Sequence, residues 1–252
     1  MSTKSIWTEN NLGFFDDRYN PAFQAGLWAK CPINAINHDI GMGTILQDDF
    51  FEFTEADTWT TTEDAGKSGT DGINDETAGW YKNFCDGDDN DESYCHSVGE
   101  TWKMASGKPL WMECKVRLTE AATDDANWIV GIMEAGGDAN TLLDNGGGPA
   151  ANYDGACFFK VDGDMSIQFE TSIATAQVTA DVVGTSVSGT AYKLGFYWDG
   201  VSSVTPYVNG VAGTAHAMAT TGGEANAVFG VKAGGTNEEA IEIDFIKIVQ
   251  IR

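Results

Sequence analysis

Residues 192–211 read YKLGFYWDGVSSVTPYVNGV, and the fold class turns on how this stretch is read. In Tyr192–Asp199 the apolar side chains Leu194, Phe196 and Trp198 recur at every second position, which is the period of a strand with one buried face. Asp199-Gly200 then supplies tight-turn chemistry. Val204–Val208 forms a second strand, closed by Asn209-Gly210, a dipeptide that tolerates positive φ at both central positions of a two-residue hairpin. Val211 begins the return. Pro206 cannot donate a ladder hydrogen bond, so its strand is predicted to lie at an edge or to carry a bulge.

The same period extends outward. In Trp111–Leu118 the residues Met112, Cys114, Val116 and Leu118 point one way and Glu113, Lys115 and Arg117 the other. Ile241–Arg252 places Ile241, Ile243, Phe245, Val249 and Ile251 on one face, with Lys247 interrupting, and Glu242, Asp244, Gln250 and Arg252 opposite. Further strands are expected at Trp128–Glu134, Ala156–Val161, Met165–Glu170, Gln177–Val183 and Ala227–Lys232, about ten residues apart with turn signals between them. The pattern predicts an all-β fold, a two-sheet antiparallel jelly-roll sandwich with an irregular N-terminal arm. The arm spans residues 1–47 and the sandwich residues 48–252, with Asp48–Phe53 as its first strand. Residues 54–100 are turn-rich and polar, with a strand-like piece near Gly79–Phe84.

A chain of 252 residues suits one large all-β domain. Its 14 Lys and Arg stand against 38 Asp and Glu, a net charge of −24 that repels phosphates and excludes nucleic acid as a partner. No run of about 18 apolar residues could span a bilayer and Met1–Asn11 has no apolar signal core, so a soluble protein without membrane partners is expected. The cysteine count is odd, at five. Cys114 and Cys157 fall where buried free thiols sit, whereas Cys85 and Cys95 flank one loop and could pair, the thiol form being the default in a reducing cytosol.

Three sets of residues invite functional readings. The arm carries Trp7, Phe14, Phe15, Tyr19, Phe23 and Trp28, too many aromatics to bury alone, so it must pack on the sandwich or on a neighbouring subunit. Asp86, Asp88 and Asn90, in the acidic loop 85–92, offer oxygen ligands for Ca2+, but the loop departs from the EF-hand pattern with Asp91 at position six and Ser97 at position twelve; a solvated loop is the alternative. Glu242-Ile243-Asp244-Phe245-Ile246-Lys247 resembles the Glu-x-Asp-x-x-Glu strand of sandwich-fold glycoside hydrolases, with Lys247 in place of the last acid. That departure removes one catalytic carboxylate, and no catalytic set is assigned. His38, His96 and His216 have no metal spacing, and Gly146–Gly148 and Gly234-Gly235 read as turns.

Lys108–Glu113, Thr123–Trp128, Tyr153–Ala156 and the closing Asp244–Gln250 resemble concanavalin/laminin-G-like jelly-roll proteins encoded among the structural genes of tailed bacteriophages. The resemblance covers residues 48–252. It implies a non-enzymatic virion component without a resident cofactor, a capsid decoration or cement protein assembled in the host cytoplasm. Its implied partners are the major capsid protein, met through the arm and a sandwich edge, and further copies of itself in a homotrimer. The alternative is a carbohydrate-binding module of a tail or fibre that stacks host glycans on Trp128, Tyr197 and Tyr207. A glycoside hydrolase of the same fold stands third.

Overall fold

The computed structural model describes residues 4–8, 11–15, 26–64, 67, 71–77, 79–122, 124–134, 136–151, 153–174, 176–220 and 222–252. Two antiparallel sheets face each other. With strands numbered in chain order, the first sheet runs β12 (Ala176–Thr185), β11 (Asp164–Ile173), β10 (Gly155–Val161), β9 (Ala126–Met133), β17 (Asn226–Ala233), β7 (Glu92–Ser97), β4 (Trp59–Glu63). The second, of nine strands, runs β15 (Val211–Ala212), β14 (Ser203–Val208), β13 (Ala191–Trp198), β8 (Leu110–Glu120), β18 (Glu239–Ile251), β6 (Trp80–Cys85), β5 (Gly72–Asn74). Its remaining strands are β16 (His216–Ala217), on β14, and β3 (Gly43–Asp48), on β18. A separate hairpin joins β1 (Lys4–Thr8) to β2 (Asn11–Phe15).

The inward faces follow the period-two reading. Met112, Cys114, Val116 and Leu118 of β8 and Leu194, Phe196 and Trp198 of β13 meet Trp128, Phe158, Phe169 and Phe229 of the opposite sheet in one core. Each fully buried side chain of this size contributes about 2–3 kcal/mol. Asn209 and Gly210 take φ of 50° and 80°, the geometry expected of that hairpin. At Pro206 the outer neighbour of β14 breaks in two. β15 pairs with Tyr207 and Val208, β16 with Ser203 and Val204, and the proline lies between.

Two expectations are corrected. The first sandwich strand is Gly43–Asp48, not Asp48–Phe53, because the Asp48 carboxylate accepts the Phe50 N–H at 2.8 Å and turns the chain, with Phe50 at φ 51°. Phe50 drops into the core while Phe51 is 73% exposed. In β18 the register against β8 shifts between Ile243 and Phe245, a bulge that reverses the alternation. Ile241 and Ile243 face the core, but after the bulge Ile246 and Ile248 do so in place of Phe245, Val249 and Ile251. Lys247 therefore does not interrupt an apolar face; it belongs to the outer one.

The arm's described part, Leu27–Lys30, the helix α1 (Ile33–His38) and the turn Ile40–Met42, packs on the outer face of the nine-stranded sheet. Leu27 and Ile36 close over Trp111 and Val249 there. For this part, the sandwich itself is the surface that covers the arm. Tyr19 and Phe23, and the side chains of Trp7, Phe14 and Phe15, lie outside the described residues.

Candidate functional site

The outer face of the nine-stranded sheet collects the polar and aromatic side chains that the core rejects. Strand pairing sets them in rows across the strands. One row is Ile45, Val249, Trp111 and Tyr197, and the next is Gln47, Lys247, Glu113 and Gly195. Beyond these come Phe245, Lys115 and Lys193, then Lys82, Glu242 and Arg117. The arm covers the first row, where Trp111 stacks on Tyr197 with ring centroids 5.2 Å apart, and borders the second through Trp28. The last two are left uncovered by the arm, although Glu242 itself is buried beneath Arg117.

In the open half every acidic side chain has a cation or an amide against it. Arg117 grips Glu242 through Nε at 2.6 Å and Nη2 at 2.8 Å and also reaches Glu76 at 2.8 Å, while Asn74 donates to Glu242 at 2.5 Å. Lys115 meets Asp244 at 2.5 Å, Lys193 meets Glu113 at 3.2 Å, and Lys82 meets Glu238 at 2.9 Å. The Trp80 ring lies under both Lys115 and Arg117, at 4.9 and 4.6 Å from its centroid. Hydrogen bonds to Glu242 and Glu76 raise the Arg117 pKa, and the same contact lowers that of Glu76.

Five of the chain's 14 cations, Lys82, Lys115, Arg117, Lys193 and Lys247, therefore share one face with Glu76, Glu113, Glu238, Glu242 and Asp244. In a molecule of charge −24 this face is locally balanced. It offers planar hydrogen-bonding groups without a strong field of either sign. Glu242 and Asp244 were the residues singled out in the hydrolase-like pattern, and each is neutralised by an ion pair. Lys115, Arg117, Asn74 and Trp80 were not singled out; the sole local signal was the alternation of charge in Glu113, Lys115 and Arg117, and the acidic partners of Lys115, Arg117 and Asn74 lie 41 to 168 residues away.

The other sequence candidates are dispersed. Asp86, Asp88 and Asn90 lie in the β6–β7 loop at one end of the sandwich, where the Asn90 carboxamide oxygen accepts the Asn145 N–H at 3.2 Å. Among the described residues no three His, Cys, Asp or Glu side chains converge on a common metal position. Burial and the neighbouring Asp64, Asp88 and Asp86 raise the Asp91 pKa. Trp128 is 2% exposed in the core and cannot stack on a sugar, whereas Tyr197 and Tyr207 are half-buried beside the arm. The five cysteines are free thiols, and burial pushes Cys85 up to about 12. His216, on β16, bonds Asp181 on β12 at 3.2 Å across the open edge of the sandwich.

No family model matches the chain, and no curated protein resembles it in sequence. Solved structures do resemble it in shape. The metal-free carbohydrate recognition domain of Emp46p superposes with a TM-score of 0.56 at 11% identity, over 80% of this chain and 94% of that one. A β-glucanase of Bacillus licheniformis gives 0.58 at 11% over 82% and 98%, and a Shewanella oneidensis protein of unknown function 0.59 at 13% over 83% and 87%. At such identities the likeness establishes architecture alone, and that architecture is the concanavalin-like jelly roll shared by lectin domains and glucanases.

Proposed function

We propose that the chain is a non-catalytic carbohydrate-binding protein whose ligand lies on the open half of the nine-stranded sheet's outer face. One observation carries this reading: the two carboxylates in the hydrolase-like stretch are both held in ion pairs, Glu242 by Arg117 and Asp244 by Lys115, and Lys247 occupies the third position. Retaining hydrolysis needs two carboxyl groups about 5–5.5 Å apart, one of them protonated as the acid. Here both carboxylates are committed to cations, Glu242 to Arg117 and Asp244 to Lys115. The same arrangement suits sugar binding, since ion-paired side chains present fixed donors and acceptors to hydroxyls. The resemblance in shape to a carbohydrate recognition domain supports the reading.

A glycan array probed with the purified chain, run beside a reducing-end assay on mixed-linkage β-glucan, tests it. Binding without turnover is expected, and release of reducing ends would overturn the non-catalytic reading. The virion setting is proposed on the sequence resemblance alone; immunogold labelling of phage particles tests it, with label confined to heads supporting capsid decoration and label on tails supporting host-glycan recognition.

A further inference from the structure

The sheet is built to receive the arm. A Cβ on Gly195, in β13, would stand 2.6 Å from Leu27 Cδ2, and one on Gly43, in β3, would stand 2.7 Å from Ile36 Cδ1. Each Cβ would also press on the sheet's own backbone, Met112 O at 2.5 Å and Gln250 O at 2.7 Å, so the two glycines serve the sheet's close pairing as well as the seating of Leu27 and Ile36. Leu27 and Ile36 are 4% and 2% exposed in the same cluster as Trp111 and Val249. This anchoring fixes Trp28 between them at the border of the open half. Its Nε1–H donates to Glu113 at 2.9 Å, and the Lys247 ammonium lies 4.7 Å from its ring centroid. Lys247 and Glu113 face each other across β18 and β8, next to the row that holds Lys115.

We propose that the segment Leu27–His38 is a fixed wall of the binding face and that Trp28, Glu113 and Lys247 form its border subsite, which takes a neutral sugar ring. The inference rests on the carbohydrate reading above. The half-buried indole offers an apolar surface to a ring's C–H face, while Glu113 accepts and Lys247 donates hydrogen bonds to adjacent hydroxyls. Neutrality follows from the balance of charge. An acidic sugar would meet Glu113, Asp244 and Glu242 on a chain of charge −24, with each nearby cation already paired or held over a ring.

The test titrates the full chain with soluble mixed-linkage β-glucan, laminarin and, as the acidic polymer, alginate. Trp28→Ala removes the ring, Trp28→Phe keeps a ring, and Ile36→Asp and Leu27→Asp evict the wall at its two anchors; melting curves show which variants remain folded. We expect the wild type to bind a neutral glucan and not alginate, Trp28→Ala and the folded eviction variant to lose about tenfold or more in affinity, and Trp28→Phe to stay within about threefold. Wild-type affinity in Trp28→Ala or in both eviction variants would overturn the subsite while leaving the carbohydrate reading intact, as would a preference for alginate. Binding to none of the polymers by any protein would overturn the carbohydrate reading and the subsite with it.

Discussion

Replacing Glu239 with Gln should make the protein more alkali-stable, and the size of the gain can be worked from the structure. Glu239 stands directly opposite Glu120 across β18 and β8, and its side chain is sealed from solvent. The buried Lys160 ammonium satisfies Glu120 at 2.9 Å and the Ala126 carbonyl at 2.8 Å. Glu239 receives the Ala121 N–H at 3.1 Å on one oxygen, and its other oxygen is buried without a donor among the described residues. Two carboxyl groups thus share one ammonium. Burial foremost, then Glu120 and Asp125, push the Glu239 pKa from 4.5 to about 7, with the Ala121 N–H and Lys160 opposing.

A carboxyl group whose folded pKa is raised holds its proton in the native state after the unfolded chain has released it. Native stability therefore falls as pH rises from about 4.5 to about 7, and the penalty is constant above that window. The shift corresponds to about 3 kcal/mol, of which relaxation and water entry at the end of a sandwich leave about 1–2 kcal/mol to be measured. Glutamine keeps the acceptor for Ala121 and never ionises. Urea denaturation at pH 5 and at pH 8 is the assay: the variant should match the wild type at pH 5 and exceed it by about 1–2 kcal/mol at pH 8. An equal difference at both pH values would refute the reasoning, since a packing effect does not depend on a proton.

Three further outcomes are expected. Lys160→Met should cost about 3–5 kcal/mol by urea denaturation, because it leaves Glu120 buried and unpaired, and adding Glu120→Gln should restore most of it. Arg117→Ala should cost about 2 kcal/mol by the same measurement, since Glu242, 6% exposed, keeps Asn74 and Thr119 as donors, and glycan affinity on the open face should fall with it. Gly210→Ala should lower stability by about 1 kcal/mol through backbone strain alone, for the glycine holds φ 80° and nothing lies within 4 Å of the added methyl group.

Much of the fold was legible because period two is a local signal. β8, β13, β14 and the Asn209-Gly210 hairpin needed no knowledge of their partners. β4 and β7 escaped notice for the opposite reason. The polar side chains of β7 are at home in a buried strand solely because distant groups satisfy them: Lys232 meets Glu92 at 3.1 Å, Asn83 meets Ser93 at 2.9 Å, and Ser97 takes the Ala227 N–H at 3.0 Å. Those partners lie from 10 to 140 residues away, so locally the segment reads as loop.

The candidate site was hidden by the same non-locality, and β18 shows how. Read without a break, the alternation from Ile241 to Ile251 makes Phe245 a core residue and Lys247 a flaw in an apolar face. A single extra residue at Asp244 reverses the parity. It sends Ile246 and Ile248 inward and turns Lys247, Val249 and Ile251 out, the last two into an apolar floor for the arm and the first into the polar border beside Trp28. Both halves of the outer face, the covered apolar part and the open charged part, thus meet at Lys247 because of that one bulge. Flattening the bulge, with Asp244 paired opposite Lys115, would restore strict alternation, carry Phe245 and Lys247 toward the core and expel Ile246 and Ile248. A bulge that costs ladder regularity persists in β18 because the alternative buries an ammonium group without a partner.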